Sequence, residues 1–83
     1  MNVRHVGQRR GYVPRPNNLN KWIVFTVGPN RRERRLVSVV EDEATEIGVE
    51  SMIGRVLLGA EKGEHFVVGQ VPTQVVVKVL RIY

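Results

Sequence analysis

The sequence contains no cysteine, and its only two histidines, His5 and His65, lie in separate segments. Without cysteine, neither a disulfide framework nor a thiolate metal site can form, and the two histidines lack the close spacing of metal-binding motifs. Long hydrophobic runs are missing too, because no segment approaches the roughly 20 apolar residues that cross a bilayer as a helix. We therefore expect a cytoplasmic protein without a metal, a cofactor or a membrane span.

Acidic residues are nearly absent from the first 35 residues, which hold nine of the thirteen Lys and Arg but one acid, Glu33. Residues 41–50 show the opposite composition, with five acids and no base. Such segregation creates local fields of opposite sign and favours charged partners. The length of 83 residues and the 42% hydrophobic content are typical of one small globular domain.

Residues 1–20 show no apolar periodicity, and Pro14 and Pro16 hold the chain extended there. We expect a basic, flexible tail over residues 1–20, with a short strand around Tyr12–Val13. The folded domain is expected over residues 21–83.

Four apolar segments predict strands. Residues 21–27 (K-W-I-V-F-T-V) are dense in β-branched and aromatic side chains and end at the turn signal G-P-N over residues 28–30. Residues 36–40 supply a second strand, so the pair predicts a hairpin with R-R-E-R, residues 31–34, at its tip. Residues 65–68 and 74–83 supply two more strands, and the last alternates imperfectly, which suggests a bulge or an exposed edge.

One short helix is predicted after Ser51, a favourable N-cap residue, and before Gly59 at the C-terminal cap. Ile53, Val56 and Leu57 have the i, i+3, i+4 spacing of a buried stripe. Gly54 lies inside this helix and suggests a close approach of another backbone. The sequence therefore predicts an α+β fold: a twisted antiparallel sheet of four or five strands with one short helix packed on it.

Residues 51–64 read S-M-I-G-R-V-L-L-G-A-E-K-G-E. This stretch resembles the signature of the C-terminal domain of the Gre transcription elongation factors, typically S-P-I-A-R-A-L-L-G, three variable residues, then G-D. The preceding V-V-E-D-E-A is similar to the family's V-G-P-D-E-A-D, and the chain ends in K-V-L-R-I-Y, a terminal strand ending in Tyr as in the family. The resemblance covers residues 21–83, is strongest from Leu36 onward, and implies an FKBP-like domain.

The resemblance also implies a partner, RNA polymerase, because the family docks near the polymerase secondary channel through this acidic loop and the helix start. The corresponding residues are Glu41, Asp42, Glu43, Ser51 and Met52, of which Met52 stands where the family has Pro. Residues 1–20 contain nothing that resembles the family's coiled coil, whose acidic tip reaches the catalytic metal. We therefore expect a non-catalytic, polymerase-binding protein. The simpler interpretation of the acidic run is a solvated loop that places negative charge near a helix N-terminus.

An alternative function is nucleic-acid binding through phosphate contacts of the tail and the hairpin tip. The residues concerned are Arg9, Arg10, Arg31, Arg32, Arg34 and Arg35. The simpler interpretation of these arginines is a solubilising tip that prevents edge pairing. A scaffolding role in a larger assembly is a third possibility. An FKBP-like fold does not by itself imply prolyl isomerase activity, and one Trp and two Phe are poor material for an aromatic pocket.

Overall fold

A computed structural model describes residues 3–5 and 15–83 of the chain. One mixed sheet has the strand order β1-β5-β6-β2-β3-β4, and one helix, α1, packs on one of its faces. The α+β prediction is therefore confirmed. The elements are β1 Val3–His5, β2 Trp22–Val27, β3 Asn30–Val37, β4 Glu46–Gly48, α1 Met52–Leu58, β5 His65–Val68 and β6 Val75–Ile82.

The sheet differs from the expected one in two respects. The described residues form six strands rather than four or five, and β4 pairs with β3 in parallel, whereas the other neighbouring strands are antiparallel. Loop 38–45 carries the chain back beside β3, where the amide of Arg35 donates to the carbonyl of Thr45 at 2.8 Å. Because the connecting loop is short, the parallel pairing covers three residues, from Arg35 opposite Glu46 to Val37 opposite Gly48.

The β2–β3 hairpin turns at Gly28-Pro29, so the prediction that residues 31–34 form its tip is wrong. Val27 pairs directly with Asn30, and Gly28 has a φ of 58°. A positive φ at the first of two turn residues is typical of a type II′ hairpin, which needs glycine there. The tight turn leaves residues 31–35 inside β3, paired with β2.

The helix begins where the capping pattern predicts. The Ser51 hydroxyl accepts a hydrogen bond from the amide of Gly54 at 3.0 Å and donates one to the carbonyl of Gly48 at 2.7 Å. Val56 and Leu57 are buried as predicted, and Ile53 is half-buried against the same core. The predicted close backbone approach at Gly54 is confirmed, because an ideal Cβ there would lie 2.7 Å from the carbonyl carbon of Gly48.

The core lies between the helix and one face of the sheet, which leaves the other sheet face without a helix on it. Alternate residues of β2 and β6 supply one side of the core, and the helix and the segment after it supply the other. The core residues are Ile23, Phe25, Leu36, Val56, Leu57, Ala60, Phe66, Val68, Val77 and Val79.

The expectation of a flexible tail through residue 20 differs from the structure at its described residues. Val3–His5 pairs with β5, and Asn18 is only 1% exposed. The Asn18 side-chain amide donates to the carbonyls of Leu57 and Ala60, each at 2.8 Å, and so closes the end of the helix. The strand expected around Tyr12–Val13 lies outside the described residues.

Candidate functional site

The acidic run of residues 41–43 forms an exposed turn, and Asp42 builds that turn. Its Oδ1 accepts the amide of Ala44 at 3.0 Å, and its backbone carbonyl accepts the amide of Glu46 at 2.9 Å. The hydroxyl of Thr45 donates to the other carboxylate oxygen, Oδ2, at 3.2 Å. Both carboxylate oxygens of Asp42 are therefore engaged within the loop, which gives this residue a structural role.

Glu46 fixes the loop from its other end. Its Oε1 accepts the backbone amides of Glu41 at 2.8 Å and of Asp42 at 3.0 Å. These two hydrogen bonds stabilise the charged form and hold the pKa of the Glu46 carboxyl below its ordinary value. Sequence reasoning missed this residue, since nothing in its spacing distinguishes a carboxylate that folds back on its own loop from one in solvent.

The carboxylates of Glu41 and Glu43 lie on the exposed side of this turn. Both residues are exposed, and the ion pair that the described residues form, between Arg15 and Glu64, does not involve them. A turn whose backbone is held by Asp42 and Glu46 therefore carries two exposed carboxylates.

Exposed apolar side chains precede the acidic turn and begin the helix that follows it, and two of them, Val39 and Val40, are not among the site residues predicted from the sequence. Val39 is 75% exposed and Val40 is 37% exposed, immediately before the acids. Met52, the first helical residue, is 45% exposed. We call the set formed by Val39, Val40, Glu41, Glu43 and Met52 the acidic edge.

Gly48 joins the loop to the helix start. A Cβ placed on Gly48 would lie 3.2 Å from Cγ2 of Val40, so the Val40 side chain packs over this glycine. The carbonyl of Gly48 in turn accepts the Ser51 hydroxyl. Ser51 is thus engaged in capping. Gly48, which has no side chain, connects the predicted loop residues to the predicted helix start.

The four described arginines of the predicted basic cluster divide between the two faces of β3. Arg32 pairs with Phe25 and Arg34 with Ile23, so both lie on the helix side of the sheet. There they line a cleft of about 250 Å³ together with Glu43 and Glu46, above apolar groups that include Ile53. Arg31 and Arg35 lie on the opposite face. The structure therefore does not support a single four-arginine surface, and Arg9 and Arg10 lie outside the described residues.

Within residues 3–5 and 15–83 no group of three or more His, Asp or Glu is placed to hold a metal ion. The helix of the described residues, α1, has neither the length nor the apolar character needed to cross a membrane.

The fold and the acidic edge define a small α+β domain with an exposed surface of mixed acidic and apolar character. Compared with known proteins, the chain matches no family model, and no curated protein is significantly similar to it.

Proposed function

We propose that this chain is a non-catalytic, cytoplasmic accessory protein that binds RNA polymerase near its secondary channel through the acidic edge. The proposal rests on the resemblance of residues 36–83 to the C-terminal domain of the Gre factors. The observation that carries it is the arrangement of the loop: two exposed carboxylates on a hydrogen-bonded turn, with exposed valines immediately before it and an exposed methionine at the start of the helix that follows.

Such an arrangement suits a protein partner. Protein interfaces combine an apolar centre with a polar rim, and binding energy concentrates in the apolar part. Val39 and Met52 would supply the apolar contacts, and Glu41 and Glu43 would pair with basic groups on the partner. Since Glu46 already holds the turn in shape, little conformational entropy is lost when a partner binds.

The five residues that the resemblance implies for docking then have different roles. Asp42 and Ser51 shape the surface, because their side-chain oxygens are engaged in hydrogen bonds within the chain. Glu41, Glu43 and Met52 would contact the partner directly. A substitution at Asp42 therefore mixes a binding effect with a conformational one and makes a poor test.

The test is titration of core RNA polymerase with the chain carrying Glu41→Gln and Glu43→Gln. We expect the Kd to rise at least about tenfold, equivalent to about 1.4 kcal/mol of binding free energy. The matched control carries Asn30→Lys and Gln74→Lys, which raises the net charge by the same amount at exposed positions that are not part of the acidic edge.

The control should keep its Kd within about twofold, and both variants should melt like the parent, because exposed substitutions usually change stability by less than about 0.5 kcal/mol. Equal weakening by the two variants would mean that net charge alone governs binding. Wild-type affinity of the Glu41→Gln, Glu43→Gln chain, or no binding of polymerase by the parent chain, would contradict the proposed docking.

A further inference from the structure

The sheet face opposite the helix carries cations and aromatic rings in three rows across the strands. In the first row, Arg35 pairs with Trp22. The amide of Trp22 donates to the carbonyl of Tyr83 at 2.8 Å, and the amide of Tyr83 donates to the carbonyl of Trp22 at 2.9 Å. Because residues paired across antiparallel strands share a face, these side chains lie together. We call the three rows the open sheet face.

The second and third rows extend this surface. Val24 pairs with Glu33 on one side and with Arg81 on the other. The members of the third row are, from β3 to β5, Arg31, Thr26, Lys78 and His65. Four cations, Arg31, Arg35, Lys78 and Arg81, therefore share this face with two acids, Glu33 and Glu46, of which Glu46 lies opposite Arg35.

Among the described residues, Arg35 lies opposite Glu46, whereas the other three cations of this face form no ion pair. The carboxylate of Glu33 accepts the hydroxyl hydrogen of Tyr83. Val24 is only 3% exposed although no helix covers it, which fits long side chains that lay their aliphatic stems across the sheet and keep their charges in solvent.

Two planar groups lie next to each other at one end of the face. The guanidinium carbon of Arg81 lies 4.5 Å from the centroid of the Tyr83 ring, within the range of a cation–π contact. The Tyr83 hydroxyl donates to the carboxylate of Glu33. Tyr83 remains 50% exposed, and Trp22 in the same row is partly exposed.

We propose that the open sheet face binds single-stranded nucleic acid. Arg31, Arg35 and Lys78 would contact successive phosphates, and an unpaired base would stack on the Arg81–Tyr83 pair. Positively charged surfaces with stacking platforms are the general means of binding single strands. A duplex buries the faces of its bases, and its major groove admits a helix or a two-stranded ribbon rather than the face of a broad sheet. The charge excess and the planar groups therefore favour a single strand over a duplex or an acidic protein.

This site goes beyond the proposed polymerase docking and does not depend on it. The acidic edge includes the start of the helix, whereas the open sheet face is the one that the helix does not cover. The residues substituted in the two tests are different, so the two activities can fail separately.

The experiment is fluorescence anisotropy with a labelled 12-nucleotide oligouridylate and a labelled duplex DNA of the same length. The first variant carries Lys78→Gln and Arg81→Gln. Its matched control carries Arg32→Gln and Arg55→Gln, which removes the same charge from exposed positions on the helix side of the sheet. We expect the Kd for the single strand to rise at least about tenfold in the first variant and less than about twofold in the control.

A second variant, Tyr83→Leu, separates stacking from charge. Removing one stacked base is expected to weaken binding by about fivefold or more, equivalent to about 1 kcal/mol. The slope of log affinity against log salt should not change, since that slope counts phosphate contacts and is about −2 for three contacts with a single strand. For Lys78→Gln with Arg81→Gln, the slope should fall in magnitude.

Three results would overturn this assignment. One is a parent chain that binds the duplex as tightly as the single strand. Another is equal weakening by the Lys78, Arg81 variant and its control. The third is a Tyr83→Leu chain that binds like the parent and prefers polyglutamate to the oligonucleotide, which would mark a general anion surface. Thermal melts identical to that of the parent exclude unfolding as the cause of any loss.

Discussion

Gly54 is the third residue of α1, and glycine is usually a poor helix residue. Alanine in its place would ordinarily stabilise a helix by about 1 kcal/mol. In this fold we expect the opposite. An ideal Cβ at this position would overlap the carbonyl oxygen of Gly48, and it would lie 2.7 Å from the carbonyl carbon of the same residue and 2.8 Å from the Ser51 hydroxyl oxygen.

The expected loss follows from comparing these two effects. Non-bonded carbon atoms prefer separations of about 3.5–4.0 Å, so β4 and the helix must move apart to admit the methyl group. Overpacking costs about 1–3 kcal/mol, and the cost here lies at the upper end because the obstacle at Gly48 is backbone that cannot rotate away. After the gain in helix propensity is subtracted, Gly54→Ala should lower the free energy of unfolding by about 2 kcal/mol. In a domain of this size that lowers the Tm by about 8–16 °C.

Thermal unfolding followed by circular dichroism measures this loss, with Arg55→Ala as the control. Arg55 is the next residue of the same helix and is exposed, so its substitution should change stability by less than about 0.5 kcal/mol. A Tm for Gly54→Ala equal to or above that of the parent would refute the reasoning. It would mean that helix propensity outweighs the contact and that the helix and β4 are farther apart in solution than the structure places them.

Two further predictions concern the core and the loop. Leu57→Ala removes a fully buried side chain and should cost about 2–5 kcal/mol in urea unfolding, whereas a loss below about 1 kcal/mol would contradict the orientation of the helix. Backbone hydrogen bonds from Glu41 and Asp42 lower the pKa of Glu46 from its ordinary 4.5 in the folded state. The stability that this shift contributes is therefore fully present above the pKa of Glu46 in the unfolded state, and it is lost as the pH falls through the lower pKa of the folded state. Glu46→Gln should remove this acid-range dependence, and parallel stability–pH curves below pH 4.5 for the two proteins would contradict it.

Local signals predicted several elements well. The Ser51 cap placed the start of the helix correctly, because capping needs only the few residues that form the first turn. The strand at residues 65–68 and the β2 segment were predicted by their density of β-branched and aromatic residues. The docking function implied by the family resemblance stays a prediction, which the polymerase titration tests.

The charged segment at residues 31–35 shows where local reasoning fails. Four arginines have weak strand preference by themselves, and the preceding G-P-N suggested a longer turn. The structure makes them a strand because each pairs with a residue of β2 through the two-residue turn at Gly28-Pro29. Their number and order were readable from the sequence, but their division between two faces was not.

The sequence by itself determined the α+β class, the position of the helix and the charge content of each segment, because these depend on neighbours along the chain. Tertiary structure decided that Asn18 is buried, that Glu46 folds back on its loop, and that Arg81 lies beside Tyr83 on the uncovered face. Alternation along a strand defines two faces but does not say which one the helix covers. Strand register and long-range packing determine which face the helix covers, and therefore which charged groups are accessible to a partner.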